Sequence, residues 1–164
     1  MLTSSSVPTA SVVYRSYVQI EPGAAKLKMV QLPQESAAVP MGVHGAIAAH
    51  YKLADGAFMP HASTIDYIVG ATAGCLMGTL NGALLARQIP TADGRLSGEA
   101  VGEIEVEDGV LVIRRIRFAA TLRGAAEHRE TVERVAMIYP AQCPVYRSLQ
   151  KAIAISTELK YEIG

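Results

Sequence analysis

The sequence predicts a mixed α+β fold, and three observations carry that reading. A Val- and Tyr-rich stretch and a Lys/Leu alternation flank Glu21-Pro22-Gly23, as the two arms of a hairpin do. Tyr67–Ala86 holds no charged residue and reads as a long apolar helix. Asp108-Gly109 separates two further alternating runs, and an amphipathic segment and a closing apolar strand follow them.

Taken in order, residues 1–10 read as a disordered tail, and 11–164 as one domain with no internal repeat and no linker. Ser11–Ile20 predicts the first strand and Lys26–Leu32 the returning one. Pro33–Gly45, with its prolines, glycines and small residues, predicts a loop. Ile47–Leu53 predicts a short strand ending at Asp55-Gly56. Ser63-Thr-Ile-Asp66 has the form of a capping box, so Ser63 is the expected N-cap of the long helix and Pro90 lies beyond its end. In the hairpin at Asp108-Gly109, the alternation slips at Arg114-Arg115 before Ile116 and Phe118, which predicts a β-bulge. Ala125–Ile138 predicts a helix with Val132, Val135 and Ile138 inward and Glu127, Glu130, Glu133 and Arg134 in water; Glu130 and Arg134 stand at i,i+4 spacing. Pro144 opens a last short helix and Ile153–Tyr161 predicts the final strand.

Composition narrows the function. The 164 residues are half apolar, enough for a substantial core, and carry 15 basic and 15 acidic side chains. That balance, with no tryptophan and few aromatics, gives no footprint for nucleic acid or an anionic membrane. The N-terminal stretch has neither a positive n-region nor an apolar h-region, so a cytoplasmic, reducing location is expected for the two cysteines. No phosphate loop, dinucleotide fingerprint, G-x-S-x-G or zinc-ligand spacing occurs, so no bound cofactor or metal is expected.

The long helix raises a membrane question, because Gly70, Gly74, Gly78 and Gly82 recur every fourth position. A span of about 20 residues only just crosses a bilayer. Thr72, Thr79 and Asn81 dilute it, and no Lys/Arg cluster flanks it. The reading is therefore a central helix, buried all round, with no membrane role. Its glycines, each costing about 1 kcal/mol in a helix interior, serve a close helix–helix contact.

Cys75 and Cys143 are the only cysteines. Cys75 sits in Ala73-Gly-Cys75-Leu-Met-Gly78 on the apolar helix, where local physics predicts a buried structural thiol. Cys143, in Cys143-Pro-Val-Tyr146, takes an N-cap position with proline at N1, which favours a more acidic thiol. The order of these motifs, an Ala-Gly-Cys helix, a hairpin, an amphipathic helix, Cys-Pro-Val and an aliphatic strand, resembles the OsmC/Ohr family of thiol peroxidases over residues 41–162. The resemblance implies an intertwined homodimer with the cysteine helices at its centre, wrapped by antiparallel-rich sheets. It implies reduction of organic hydroperoxides. By that resemblance the cysteine at position 75 becomes a sulfenic acid, the cysteine at 143 resolves it as a disulfide, and an external lipoyl-type dithiol, such as one carried on a lipoylated protein, restores both.

A thiolate at Cys75 needs a positive partner, since burial alone disfavours its charge. The family uses an arginine from the N-terminal part of the chain. Here Arg15 is the only arginine before Cys75, and it is either that partner or a surface strand residue. Relatives place a Pro-Glu pair where this chain has Thr64-Ile65, and Asp66 is the nearest acid. His44 and His50 lie where relatives line the substrate side, and His61 precedes the helix; each is a further candidate charge or a hydrogen-bonded loop residue. A family member that has lost peroxide turnover and binds an apolar ligand or partner in the same pocket is the alternative reading.

Overall fold

A computed structural model describes residues 12–164, so the expected tail, and Ser11 with it, lie outside the described residues. The chain divides into two compact units, Met1–Ser63 and Thr64–Gly164.

The N-terminal unit holds a three-stranded antiparallel sheet in the order β1 (Gln19–Pro22), β2 (Lys28–Gln31), β3 (Val39–Met41). The hairpin is where the sequence puts it, with Ile20 opposite Val30 and Pro22 opposite Lys28. β1 is shorter than expected, and Arg15 precedes it in irregular chain. The expected loop hides β3. Pro40 masked this strand, but a proline is tolerated on an edge, and β3 is one. Residues 45–50 form a helix, α1 (Gly45–His50), not the expected strand. Three of its six residues are alanine, the best helix former, and that local preference prevails over the short apolar pattern.

The C-terminal unit carries the long helix α2 (Thr64–Leu85), followed by β4 (Leu96–Glu107), β5 (Val110–Gly124), α3 (Arg129–Ile138), α4 (Pro144–Leu149) and β6 (Ala154–Ile163). The sheet runs β4-β5-β6; β4 and β5 are antiparallel, β5 and β6 parallel. A parallel pair needs a crossover, and α3 and α4 supply it. Asp108 and Gly109 both have positive φ, 51° and 82°, the requirement of a type I′ turn. The bulge falls where the alternation slips: Glu103 pairs with Arg115 and Ile104 with Ile113, leaving Arg114 as the extra residue. Beyond it Ile116, Phe118, Ala120 and Leu122 all point inward.

α2 lays Leu76, Leu80 and Leu84 onto this face, one turn apart and fully buried. Each contributes about 1.5–3 kcal/mol by leaving water. α3 adds Val132, Val135 and Tyr139. Ile138, expected inward, is 49 % exposed, and Tyr139 takes its place in the i, i+3, i+7 stripe. Glu130 and Arg134 pair at 2.9 Å as their spacing predicts. Gly98 and Gly102 of β4 let α2 approach closely: a Cβ on Gly98 would lie 2.7 Å from Met77 Cε, and one on Gly102 2.5 Å from Val69 Cγ2.

α2 is not buried all round. Only Thr72 and the leucine stripe are fully buried, while Gly70, Gly74, Gly78 and Gly82 form an exposed stripe. Among the described residues nothing lies within 4 Å of a Cβ built on any of the four. The helix has the length and composition of a membrane span. Its leucine face nevertheless packs in the core of a mixed sheet-and-helix unit.

Candidate functional site

The two thiols meet in the core of the C-terminal unit. Cys143 is fully buried in the cluster formed by Leu76, Leu80, Val132, Val135 and Tyr139, and half-buried Cys75 packs against the same cluster. Helix α2 fixes Cys75. Cys143 is fixed by the start of α4, where it has extended backbone angles and its Sγ accepts a hydrogen bond from Tyr146 N at 3.5 Å. Pro144 at the first helical position sets that turn.

The surroundings of Cys143 oppose its ionisation. Burial pushes its thiol above the ordinary cysteine value, the neighbouring Cys75 pushes the same way, and the Tyr146 N–H and the Thr79 hydroxyl act against both. The sequence favoured Cys143 as the more acidic thiol from its place at a helix start. In the folded chain desolvation outweighs that position, because α4 is one short helix and the sulfur has no access to water.

Two hydroxyls border the pair. Thr79, one turn after Cys75 on α2, donates to the Cys75 carbonyl at 2.9 Å, and its hydroxyl opposes the rise of the Cys143 thiol. Tyr139, 1 % exposed, has a buried Oη without a hydrogen-bond partner of good geometry among the described residues, although Thr157 lies near. Burial raises its phenol above the ordinary value. Neither residue was singled out from sequence. Thr79 counted only as a polar dilution of the helix, though its i+4 spacing from Cys75 was visible.

The other candidates are placed differently. Arg15 is exposed and lies outside β1, so it is not the strand residue the sequence suggested. His44, also exposed, precedes α1, and half-buried His50 ends it with its ring edge-on to Tyr51 at 5.0 Å. His61 packs its Cβ where a side chain on Gly42 would sit, 2.9 Å from a Cβ built there. These residues belong to the N-terminal unit. Asp66 is exposed in the first turn of α2, and buried Ser63 immediately precedes that helix. Among the described residues no three His, Cys, Asp or Glu side chains gather to hold a metal.

The arrangement suits thiol–disulfide chemistry. Two sulfurs on separate elements share one apolar cluster, and one of them is partly open to solvent. Solved structures share the fold. An organic hydroperoxide resistance protein from Elizabethkingia anophelis is 15 % identical, with a TM-score of 0.67 over 93 % of this chain and 100 % of its own. An OsmC protein from Legionella pneumophila is 9 % identical, with a TM-score of 0.66 over 92 % and 99 %. An OsmC-like protein of unknown function from Vibrio cholerae is 9 % identical, with a TM-score of 0.71 over 90 % and 99 %. No curated protein sequence matches. The family model for OsmC-like proteins matches residues 56–158, from just before α2 into β6 and so across both cysteines, and on that match the chain belongs to the OsmC-like protein family.

Proposed function

We propose that this protein is a thiol peroxidase that reduces organic hydroperoxides. The observation that carries the proposal is the meeting of the chain's only two cysteines in one buried cluster, one half-exposed and one sealed. Cys75 attacks the peroxide, releasing the alcohol and becoming a sulfenic acid. The Cys143 thiol attacks that sulfur, a disulfide forms, and hydroxide leaves with the thiol proton as water. An external dithiol of lipoyl type then reduces the disulfide by exchange. The apolar lining favours an organic peroxide over hydrogen peroxide. We further propose a cytoplasmic homodimer joined through the open glycine face of α2.

Turnover of a bulky organic hydroperoxide with a lipoyl-type dithiol tests this reading. Cys75→Ser should abolish it, and Cys143→Ser should stop it after one oxidation of Cys75. One observation favours a second reading: Ile65 stands where peroxidase relatives carry a glutamate. A family member without turnover, holding an apolar ligand or partner in the same pocket, would show no hydroperoxide consumption in this assay at any dithiol concentration.

A further inference from the structure

We propose that Ala71 is a specificity-determining residue of this site, a small side chain beside Cys75 that admits hydroperoxides carrying a bulky alkyl or aryl group. The inference rests on the peroxidase reading and names what the organic part of the substrate passes over.

On an α-helix the neighbours of a residue lie three and four positions away, with Cβ atoms about 5–6 Å apart. For Cys75 they are Ala71, Thr72, Gly78 and Thr79. The two threonines take the inner side. Thr72 is buried and ties its hydroxyl to Ile68 O at 2.8 Å. Thr79 is half-buried and ties its own to Cys75 O at 2.9 Å. The outer side carries the two smallest neighbours, Ala71 and Gly78, both exposed. A Cβ built on Gly78, or on Gly74 next to Cys75, has nothing within 4 Å among the described residues. Helical side chains lean toward the helix start, so the Cys75 thiol stands over the turn of Ala71 and Thr72. Thr72 closes that turn on the core side, and Ala71 is its open side. Ile68, one turn farther back and exposed, supplies an apolar edge.

The direction of attack gives that open side its meaning. The Cys75 sulfur attacks the terminal oxygen of the hydroperoxide in line with the O–O bond. The S–O bond forms as the O–O bond breaks, and the organic oxygen leaves and takes up the thiol proton as the alcohol. The organic group therefore lies beyond the two oxygens, away from the sulfur. It lies on the solvent side, because the inner side is taken by the core cluster that Cys75 packs against. Over Ala71 it meets a single methyl group. A leucine there would fill the approach, whereas hydrogen peroxide has no organic group to obstruct. The size of the hydroperoxide that reaches Cys75 is thus set at one position of α2, in addition to the apolar lining of the site.

Two thiol reagents of different size test the assignment without any peroxide. In the Cys143→Ala chain, where Cys75 is the only thiol, the alkylation rate with a bulky N-substituted maleimide is divided by the rate with iodoacetamide. Ala71→Leu should lower this ratio at least about tenfold, the low end of what one methylene decides in a substrate site. Ala71→Met should lower it in the same direction, and Ala71→Ser should leave it at the parent value. A disturbance of the fold would move both rates together and leave the ratio where it was. In the two-cysteine chain Ala71→Leu should cut kcat/KM for a bulky aryl hydroperoxide by the same factor and spare hydrogen peroxide. A ratio unchanged or raised in both Ala71→Leu and Ala71→Met would overturn the assignment. Alkylation needs no turnover, so it reads Ala71 by itself, whereas a parent chain that consumes no hydroperoxide would count against the peroxidase reading alone.

Discussion

At the scale of single residues, burial governs the chemistry of Cys143. The folded chain holds its thiol above the ordinary value, chiefly by desolvation. A group whose folded value is raised contributes stability below its unfolded value, about 8.5 for cysteine, and that contribution is lost as pH rises through the folded value. Stability should therefore fall above about pH 8.5, and Cys143→Ala should flatten that part of the curve in denaturant unfolding followed against pH. Tyr139 works in the same alkaline direction. Its hydroxyl also makes a second prediction. A buried polar atom without a partner costs about 1–3 kcal/mol, so Tyr139→Phe should stabilise the fold by about 1 kcal/mol, read as a rise in unfolding midpoint. A loss of stability instead would show that Thr157 serves as a true partner.

At the scale of elements, two sets of glycines predict opposite outcomes. Gly98 lies under α2, with Met77 and Phe118 against it, so Gly98→Val overpacks the core and should cost about 1–3 kcal/mol in chemical denaturation. Among the described residues nothing lies within 4 Å of a Cβ built on Gly74, so Gly74→Leu should leave the fold intact and gain about 1 kcal/mol of helix preference. If the glycine face joins two copies, the same change should convert dimer to monomer by light scattering. The elements were largely legible because their signals are local. Asp108-Gly109 requires positive φ, the broken alternation at Arg114 requires a bulge, and Cys143-Pro144 requires a helix start. What stayed hidden was either short or decided by packing. β3 contains a proline and only three residues, α1 is six residues whose alanines outweigh an apolar pattern, and Ile138 yields its inward place to Tyr139. At the site the two thiols were legible from sequence, but Thr79 and Tyr139 were not, since their meaning depends on which helix comes to lie beside them.

At the scale of the whole molecule, the surface of the C-terminal unit carries both ion pairs and exposed apolar residues. The hairpin β4–β5 fastens itself with exposed ion pairs: Arg115 to Glu103 and Glu105, Arg114 to Glu107, and Arg117 to Glu103 at 2.7 Å. Exposed pairs of this kind add little stability each, about 0–1 kcal/mol, and serve mainly to fix register. Val101, Ile104, Val106 and Val110 on the same hairpin remain exposed, as does the glycine face of α2. This exposed apolar surface supports the proposed homodimer, while both cysteines of the proposed redox pair pack in the core of one chain. That separation sets the central claim, that Cys75 and Cys143 of a single chain act as one dithiol. Mass spectrometry of the protein after one equivalent of a bulky organic hydroperoxide tests it most directly. The account predicts an intramolecular Cys75–Cys143 disulfide, formed without cross-linked chains and reversed by a dithiol. Free thiols persisting on both residues, or a disulfide joining two chains, would contradict it.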